Sequence, residues 1–106
     1  MGRVFGIHEW KGSGPPQLHI HHEDDEAWHI LEGQVEFQFA DGREVVGPGT
    51  TVFVPAGVAH TYVTRDDARY LIVLTPRLAA LIDELHGLPS AEHANAYRRH
   101  ASELLE

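Results

Sequence analysis

Up to Pro76 the chain alternates. Short stretches in which apolar and polar residues take turns are separated by breaks rich in Gly, Pro and Asp, the pattern of strands that each bury one face. The alternation predicts strands near residues 4–10, 18–22, 27–31, 35–39, 44–46, 51–54, 60–64 and 70–74. Ala40-Asp41-Gly42-Arg43 reads as a hairpin connection whose Asp-Gly pair supplies positive φ, and Glu32-Gly33-Gln34 as a tight turn between two strands. Eight short strands in so small a chain predict an all-β sandwich or barrel, which limits exposed edges. Past Pro76 the apolar period lengthens from two to about 3.6. Leu78, Leu81, Ile82 and Leu85 form one helical stripe that stops at Gly87 and Pro89. Ser90 is placed to cap a second helix, with Ala94, Tyr97, Ala101 and Leu104 as its inner face. These helices, over 76–105, are expected to pack on the outside of the barrel or on a partner subunit, with His86, His93 and His100 at the surface.

Composition narrows the function classes. The 106 residues suit one domain, 1–106, and no linker or repeat divides them. Eight basic residues against sixteen acidic ones give a net charge of −8, with no basic cluster beyond Arg98-Arg99, so a nucleic-acid surface is not expected. No apolar run reaches membrane length and no charged-then-apolar leader opens the sequence, which points to a soluble, cytoplasmic protein with no membrane partner. The absence of cysteine excludes disulfides and thiolate metal sites.

The candidate chemistry sits in residues 19–26, HIHHEDDE. Side chains two apart on a strand share a face, so His19 and His21 project together while Ile20 and His22 take the other side. Glu26 opens the next strand on the same side as Trp28 and Ile30. His60 follows the rigid Pro55-Ala56-Gly57 turn, which can deliver one side chain inward at a strand start. Imidazole and carboxylate donors of this kind suit first-row divalent metals. The acids Glu23, Asp24 and Asp25 read as a solvated turn, since no calcium-loop spacing follows them.

Two motifs here resemble those of the cupins, small β-barrel proteins. Gly14, His19-Ile20-His21, Glu26 and Gly33 follow the first motif, with Gly14 one residue closer to the His pair than is usual. Gly49, Pro55, Gly57 and His60 follow the second position for position, with Thr64 where Asn is usual. The resemblance runs from about Val4 to Thr75. It implies a double-stranded β-helix, or jelly-roll barrel, over about 4–75 with a short C-terminal helical extension. It also implies a divalent metal ion (iron, manganese, zinc, nickel or copper) on His19, His21, Glu26 and His60. A slip of strand register would exchange His22 for His21.

Three neutral imidazoles and one carboxylate would leave a divalent ion a net charge of +1 and, if six-coordinate, two open positions. Strand parity sets Trp28, Phe37 and Tyr62 nearest the ion, predicting a small aromatic pocket for a planar or hydrophobic molecule without Lys or Arg to grip phosphate. His29 is expected on the outer face. The resemblance implies a metal-dependent oxidoreductase of dioxygenase type acting on a small enolic or phenolic compound. A non-redox isomerase, lyase or cyclase, and a small-molecule-binding protein without turnover, are the alternatives, because one barrel hosts many activities. Size and resemblance imply a homodimer that covers outer apolar positions such as Leu31, Leu71 and Val73.

Overall fold

The structure is a computed structural model and describes residues 5–12 and 17–105. Position 4 of the first expected strand and Gly14 of the first motif lie outside the described residues. Seven strands form one antiparallel arrangement: β1 (Gly6–Lys11), β2 (His19–His21), β3 (Glu26–Phe39), β4 (Gly42–Val46), β5 (Thr51–Val54), β6 (His60–Leu74) and β7 (Ser102–Leu104). Between β6 and β7 come α1 (Pro76–His86), one short 3-10 turn (Ser90–Glu92) and α2 (His93–Arg99).

The two long strands set the architecture. β3 and β6 pair along their whole length, from Ala27 opposite Val73 to Phe39 opposite His60, with register shifts between Ile30 and Gln34. On one side of the shift β5 joins β3 and β1 joins β6; on the other, β4 joins β3 while β2 and then β7 join β6. Each long strand therefore serves both halves of the barrel. Residues of the two halves meet in the core, where Trp28 stands edge-on to Phe37 at 5.0 Å and to Tyr62 at 5.5 Å between ring centroids. The all-β barrel expected from the alternation is the architecture observed.

Three local expectations change. The Glu32-Gly33-Gln34 break is not a turn between strands but a bend within β3, and the expected break between residues 64 and 70 is likewise a bend within β6. Gly33 carries φ +72° there, facing Asp66 and Asp67, which also take positive φ. A hairpin does join β3 to β4, with Phe39 opposite Gly42 and Ala40-Asp41 between them, but no residue of it has positive φ. The C-terminal segment is not helical to its end: α2 stops at Arg99, Ala101 takes φ +54°, and Ser102–Leu104 pairs with β2. The 3.6 period through Ala101 and Leu104 was a coincidence of spacing, overridden by the free edge that β2 offers.

The helices also sit elsewhere than expected. Thr75 caps α1 by accepting from the Leu78 amide, and Pro76 follows at a position that needs no N–H. Leu78 and Leu81 of α1 and Ala96 and Tyr97 of α2 belong to the same buried core as Trp28, Phe37 and Tyr70. Trp10 of β1 stacks on His86 at the end of α1, 5.3 Å apart and 12° from parallel. The helices close over the barrel mouth rather than packing on its outside. Among the described residues no helix is long and apolar enough to cross a membrane.

The bend at Gly33 is a testable constraint. A Cβ there would lie 2.7 Å from Ala68 Cα and 2.8 Å from the Arg65 and Asp66 carbonyl oxygens, while one at Gly42 would meet nothing within 4 Å. Gly33→Ala combines backbone strain with overpacking, so it should cost roughly 2–4 kcal/mol of stability. Gly42→Ala should leave the thermal midpoint unchanged. Equal midpoints for the two variants would show that the bend tolerates a side chain and is set elsewhere.

Candidate metal centre

β2, β3 and β6 bring the motif residues together. His19 is the register partner of His60, so two sequence-distant imidazoles share one strand pair, and Glu26 opens β3 on the same inner face. His19, His21, Glu26 and His60 are all buried. One donor nitrogen from each of the three imidazoles lies within 4.8 Å of the others. Glu26 Oε1 stands 3.2 Å from His21 Nε2 and 3.2 Å from His60 Nε2. Trp28, edge-on to His60 at 5.7 Å, backs that ring.

The proton on each imidazole can be assigned from its neighbours. His60 Nδ1 is 2.9 Å from the Val58 carbonyl and His19 Nδ1 is 3.1 Å from the Gln17 carbonyl. A carbonyl only accepts, so both nitrogens are N–H donors. His21 Nδ1 is 2.7 Å from Ser102 Oγ, whose own proton goes to the His100 carbonyl at 3.1 Å. Ser102 therefore accepts from His21. All three rings carry their proton on Nδ1, and in the neutral form Nε2 offers a lone pair.

Burial keeps the His19 ring neutral. Burial, aided by His60 and His21, lowers the His19 pKa to about 3, against the opposing pull of the Gln17 carbonyl and Glu26. Burial alone would raise the Glu26 carboxyl, but its contacts with His21 and His60 outweigh that and bring it down to about 2. Neutral rings would turn Nε2 lone pairs toward a carboxylate oxygen at 3.2 Å, so a shared proton or a cation must lie among them. Ligands about 2.1 Å from one shared ion stand roughly 3.0–3.4 Å apart. The three imidazoles lie close enough to hold one divalent ion, and Glu26 sets a carboxylate oxygen against two of them.

A cavity of about 610 Å³ opens beside these residues. Its wall includes His19, His21, Glu26 and Tyr62 at the site, Trp10, Ile72 and Leu74 from the barrel, and Leu78, Leu81, Leu85 and Tyr97 from the helices. Of the three expected pocket residues only Tyr62 lines it. Trp28 and Phe37 are core, each 1% exposed, and lie behind the wall. His8, His86 and His93 line the cavity rather than facing solvent alone. His22 points away, exposed, with Nε2 3.4 Å from Glu103 Oε1, so no register slip exchanges it for His21. His29 bonds Thr51 on the outer face, as its parity predicts.

Strand parity could not reveal three further contributors. Ser102 reaches His21 only because β7 pairs with β2. Tyr97 lies flat over His21, with 6.4 Å between centroids and 5° between planes, and edge-on to His19 at 5.5 Å. Burial pushes both the Tyr97 and Tyr62 phenols upward, so both keep their protons at neutral pH. Of the acidic run expected as a solvated turn, Glu23 and Asp25 are exposed, but Asp24 is not, and the run also braces the loop. Asp24 is buried and accepts from the Thr75 hydroxyl at 3.0 Å, while Asp25 accepts from the Ala56 amide at 2.8 Å. The Gly57 amide donates to the His21 carbonyl at 2.8 Å. Both motifs and the start of α1 are thus tied to one loop.

Comparison with known proteins agrees with this geometry. No curated protein matches the chain. Among solved structures, the polyketide cyclase RemF of Streptomyces resistomycificus is 30% identical with a TM-score of 0.59, over 70% of this chain and 56% of that one. A sugar phosphate isomerase of the cupin superfamily from Silicibacter pomeroyi is 29% identical with a TM-score of 0.59, over 71% and 52%. A cupin-2 domain containing protein from Shewanella frigidimarina is 23% identical with a TM-score of 0.55, over 65% and 66%. The chain spans about half to two thirds of the length of these proteins. The model of the Cupin domain family matches residues 7–75, the stretch that holds the bent strands and all four converging side chains. By that match and by its fold, the chain belongs to the cupin family.

Proposed function

We propose that the protein is a metal-dependent enzyme acting on a small, largely apolar enolic or phenolic compound, with His19, His21, Glu26 and His60 as ligands of one divalent ion. The observation that carries this reading is the convergence of four acceptor groups, their protons committed outward, at the wall of an apolar cavity. A divalent ion held there supplies Lewis acidity toward an enolate, phenolate or carboxylate, and iron or manganese adds chemistry with dioxygen. The chain's own contribution is positional. Val58, Gln17 and Ser102 fix the imidazoles, Glu26 supplies the one anionic ligand, and the apolar wall keeps water from the bound molecule.

Two reaction types fit. A dioxygenase is the first; a non-redox isomerase, lyase or cyclase is the second, favoured by the likeness to a polyketide cyclase and a sugar phosphate isomerase near 30% identity. Among the described residues no Lys or Arg lines the cavity, which favours an unphosphorylated substrate over a sugar phosphate. Turnover of a panel of phenols, catechols and 1,3-diketones by protein loaded with iron(II), manganese(II) or zinc(II), with and without oxygen, separates the readings. Stoichiometric oxygen uptake supports the first, anaerobic turnover the second, and metal retention without turnover a binding protein.

A second copy of the chain is the partner we propose. Ile7, Val73, Ala27 and Phe53 stand opposite one another across β1, β6, β3 and β5 in one outward row. Ile7 is 66% and Phe53 61% exposed, while the expected contacts Leu31, Leu71 and Val73 are already half-buried. An apolar face of this kind is self-complementary about a two-fold axis. Sedimentation should show a dimer at micromolar concentration that Phe53→Glu converts to monomer. A monomeric wild type refutes the pairing.

The ligand assignment makes a sharper prediction. His60→Ala should cut metal content strongly and lower the melting temperature, because an ion bound only by the folded state stabilises it by mass action. His22→Ala should change neither. Loss of metal in His22→Ala with retention in His60→Ala would overturn the assignment. Acidity gives a second signature. The unfolded chain protonates His19 near 6.5, but the folded chain does so only near 3, so the related stability is present above 6.5 and is lost as pH falls through that window. Glu26 adds a loss from 4.5 down to about 2. Melting temperatures of the chelated protein should therefore decline from pH 6.5 downward, and the decline should flatten in His19→Gln.

A further inference from the structure

The metal end of the cavity is poor in available hydrogen. The three Nδ1 protons point outward to Gln17, Val58 and Ser102. Glu26 Oε1 is turned to the His21 and His60 Nε2 atoms at 3.2 Å. Tyr62 and Tyr70 share a hydrogen bond at 3.2 Å, and Tyr70 also bonds the Gly12 carbonyl. A carbonyl cannot donate and Tyr70 has one hydroxyl proton, so the proton between the two phenols is Tyr62's. The Trp28 indole N–H is buried behind the wall and does not reach the cavity.

Tyr97 is different. Its ring is held flat over His21 and edge-on to His19, it is 2% exposed, and it forms part of the cavity wall. Among the described residues its hydroxyl has no hydrogen-bond partner, and it is not sealed from the cavity as the Trp28 N–H is. A phenol hydroxyl that opens on a cavity without a protein partner is available to donate to a bound molecule. It comes from α2, beyond the residues 7–75 that match the family.

We propose that Tyr97 donates a hydrogen bond to an anionic oxygen of the molecule bound at the metal centre. The inference rests on the metal reading above. Enolates, phenolates and carboxylates all present the required oxygen. Tyr97 offers its donor beside the His19 and His21 rings, and Trp10, Ile72, Leu74, Leu81 and Leu85 lend apolar surface to the remainder of the ligand. Tyr97 is then a ligand contact supplied by the C-terminal segment, and α1 and α2 place it.

Tyr97→Phe tests this, because it keeps the ring that packs on His21 and removes only the hydroxyl. The probes are 4-nitrocatechol, acetate and azide, titrated spectroscopically into cobalt(II)-loaded protein. Metal content and melting temperature of the variant should equal those of wild type. Probe binding should weaken roughly tenfold or more, the scale of a hydrogen bond to a charged group. Bound 4-nitrocatechol should also ionise at higher pH in the variant, a shift that a packing role would not produce. Unchanged probe affinity in Tyr97→Phe, or a metal-loaded wild type that binds none of the three probes, overturns the inference alone. A variant that loses metal or stability overturns it too, by giving the hydroxyl a structural role. A wild type that takes up no metal overturns the function proposed above, and this inference with it.

Discussion

The site depends on where three protons are. Each imidazole gives its Nδ1 proton to a fixed acceptor: the Gln17 carbonyl, the Val58 carbonyl and Ser102 Oγ. Two of these acceptors lie two residues from their histidine, so the backbone itself selects the tautomer. With the protons turned outward, three lone pairs and the Glu26 carboxylate converge in a buried space. Such a collection of acceptors is unfavourable by itself. It becomes favourable when positive charge is shared among them, so a cation bound there would stabilise the fold.

Holding four repelling groups at short range needs a stiff frame, and the acidic run supplies part of it. Asp24 joins the loop after β2 to the cap of α1, and Asp25 joins the same loop to the Pro55-Ala56-Gly57 turn. Asp24 is 5% exposed, with Arg77 3.6 Å from its second oxygen. Both carboxylates accept local donors, Asp24 buried and Asp25 at the surface, so loop 22–25 serves as the joint between the two motifs. His60, delivered by that turn, lands opposite His19 in register.

Much of this was legible in the sequence, and the reasons differ by residue. Parity placed His19, His21 and Glu26 on one face, and the Pro-x-Gly turn placed His60 inward, because both are local rules of backbone geometry. Parity also marked Trp28 and Phe37 as inward. It could not say that they lie behind the wall, since a face divides into core and cavity only once the opposite half of the barrel is in place. The bend at Gly33 looked like a turn because Gly breaks an alternation in either case; only the contact with Ala68 distinguishes a bend from a reversal. Ser102 was beyond reach altogether. Its role arises from β7 pairing with β2, a contact of 81 residues' separation that no local pattern encodes.

The C-terminal segment turns a barrel with polar groups at its mouth into an enclosed, chemically asymmetric chamber. α1 contributes aliphatic side chains, α2 contributes one phenol, and β7 contributes the hydroxyl that sets the His21 tautomer. His100 and Arg99 both bind Glu84, which holds α2 against α1. The family fold thus accounts for the convergent side chains, while the 29 residues that follow the matched stretch up to Leu104 supply the other part of the cavity wall. Differences in activity between barrels of this kind can then arise without any change to the histidine cluster, because part of the wall beside it is drawn from a separate stretch of the chain.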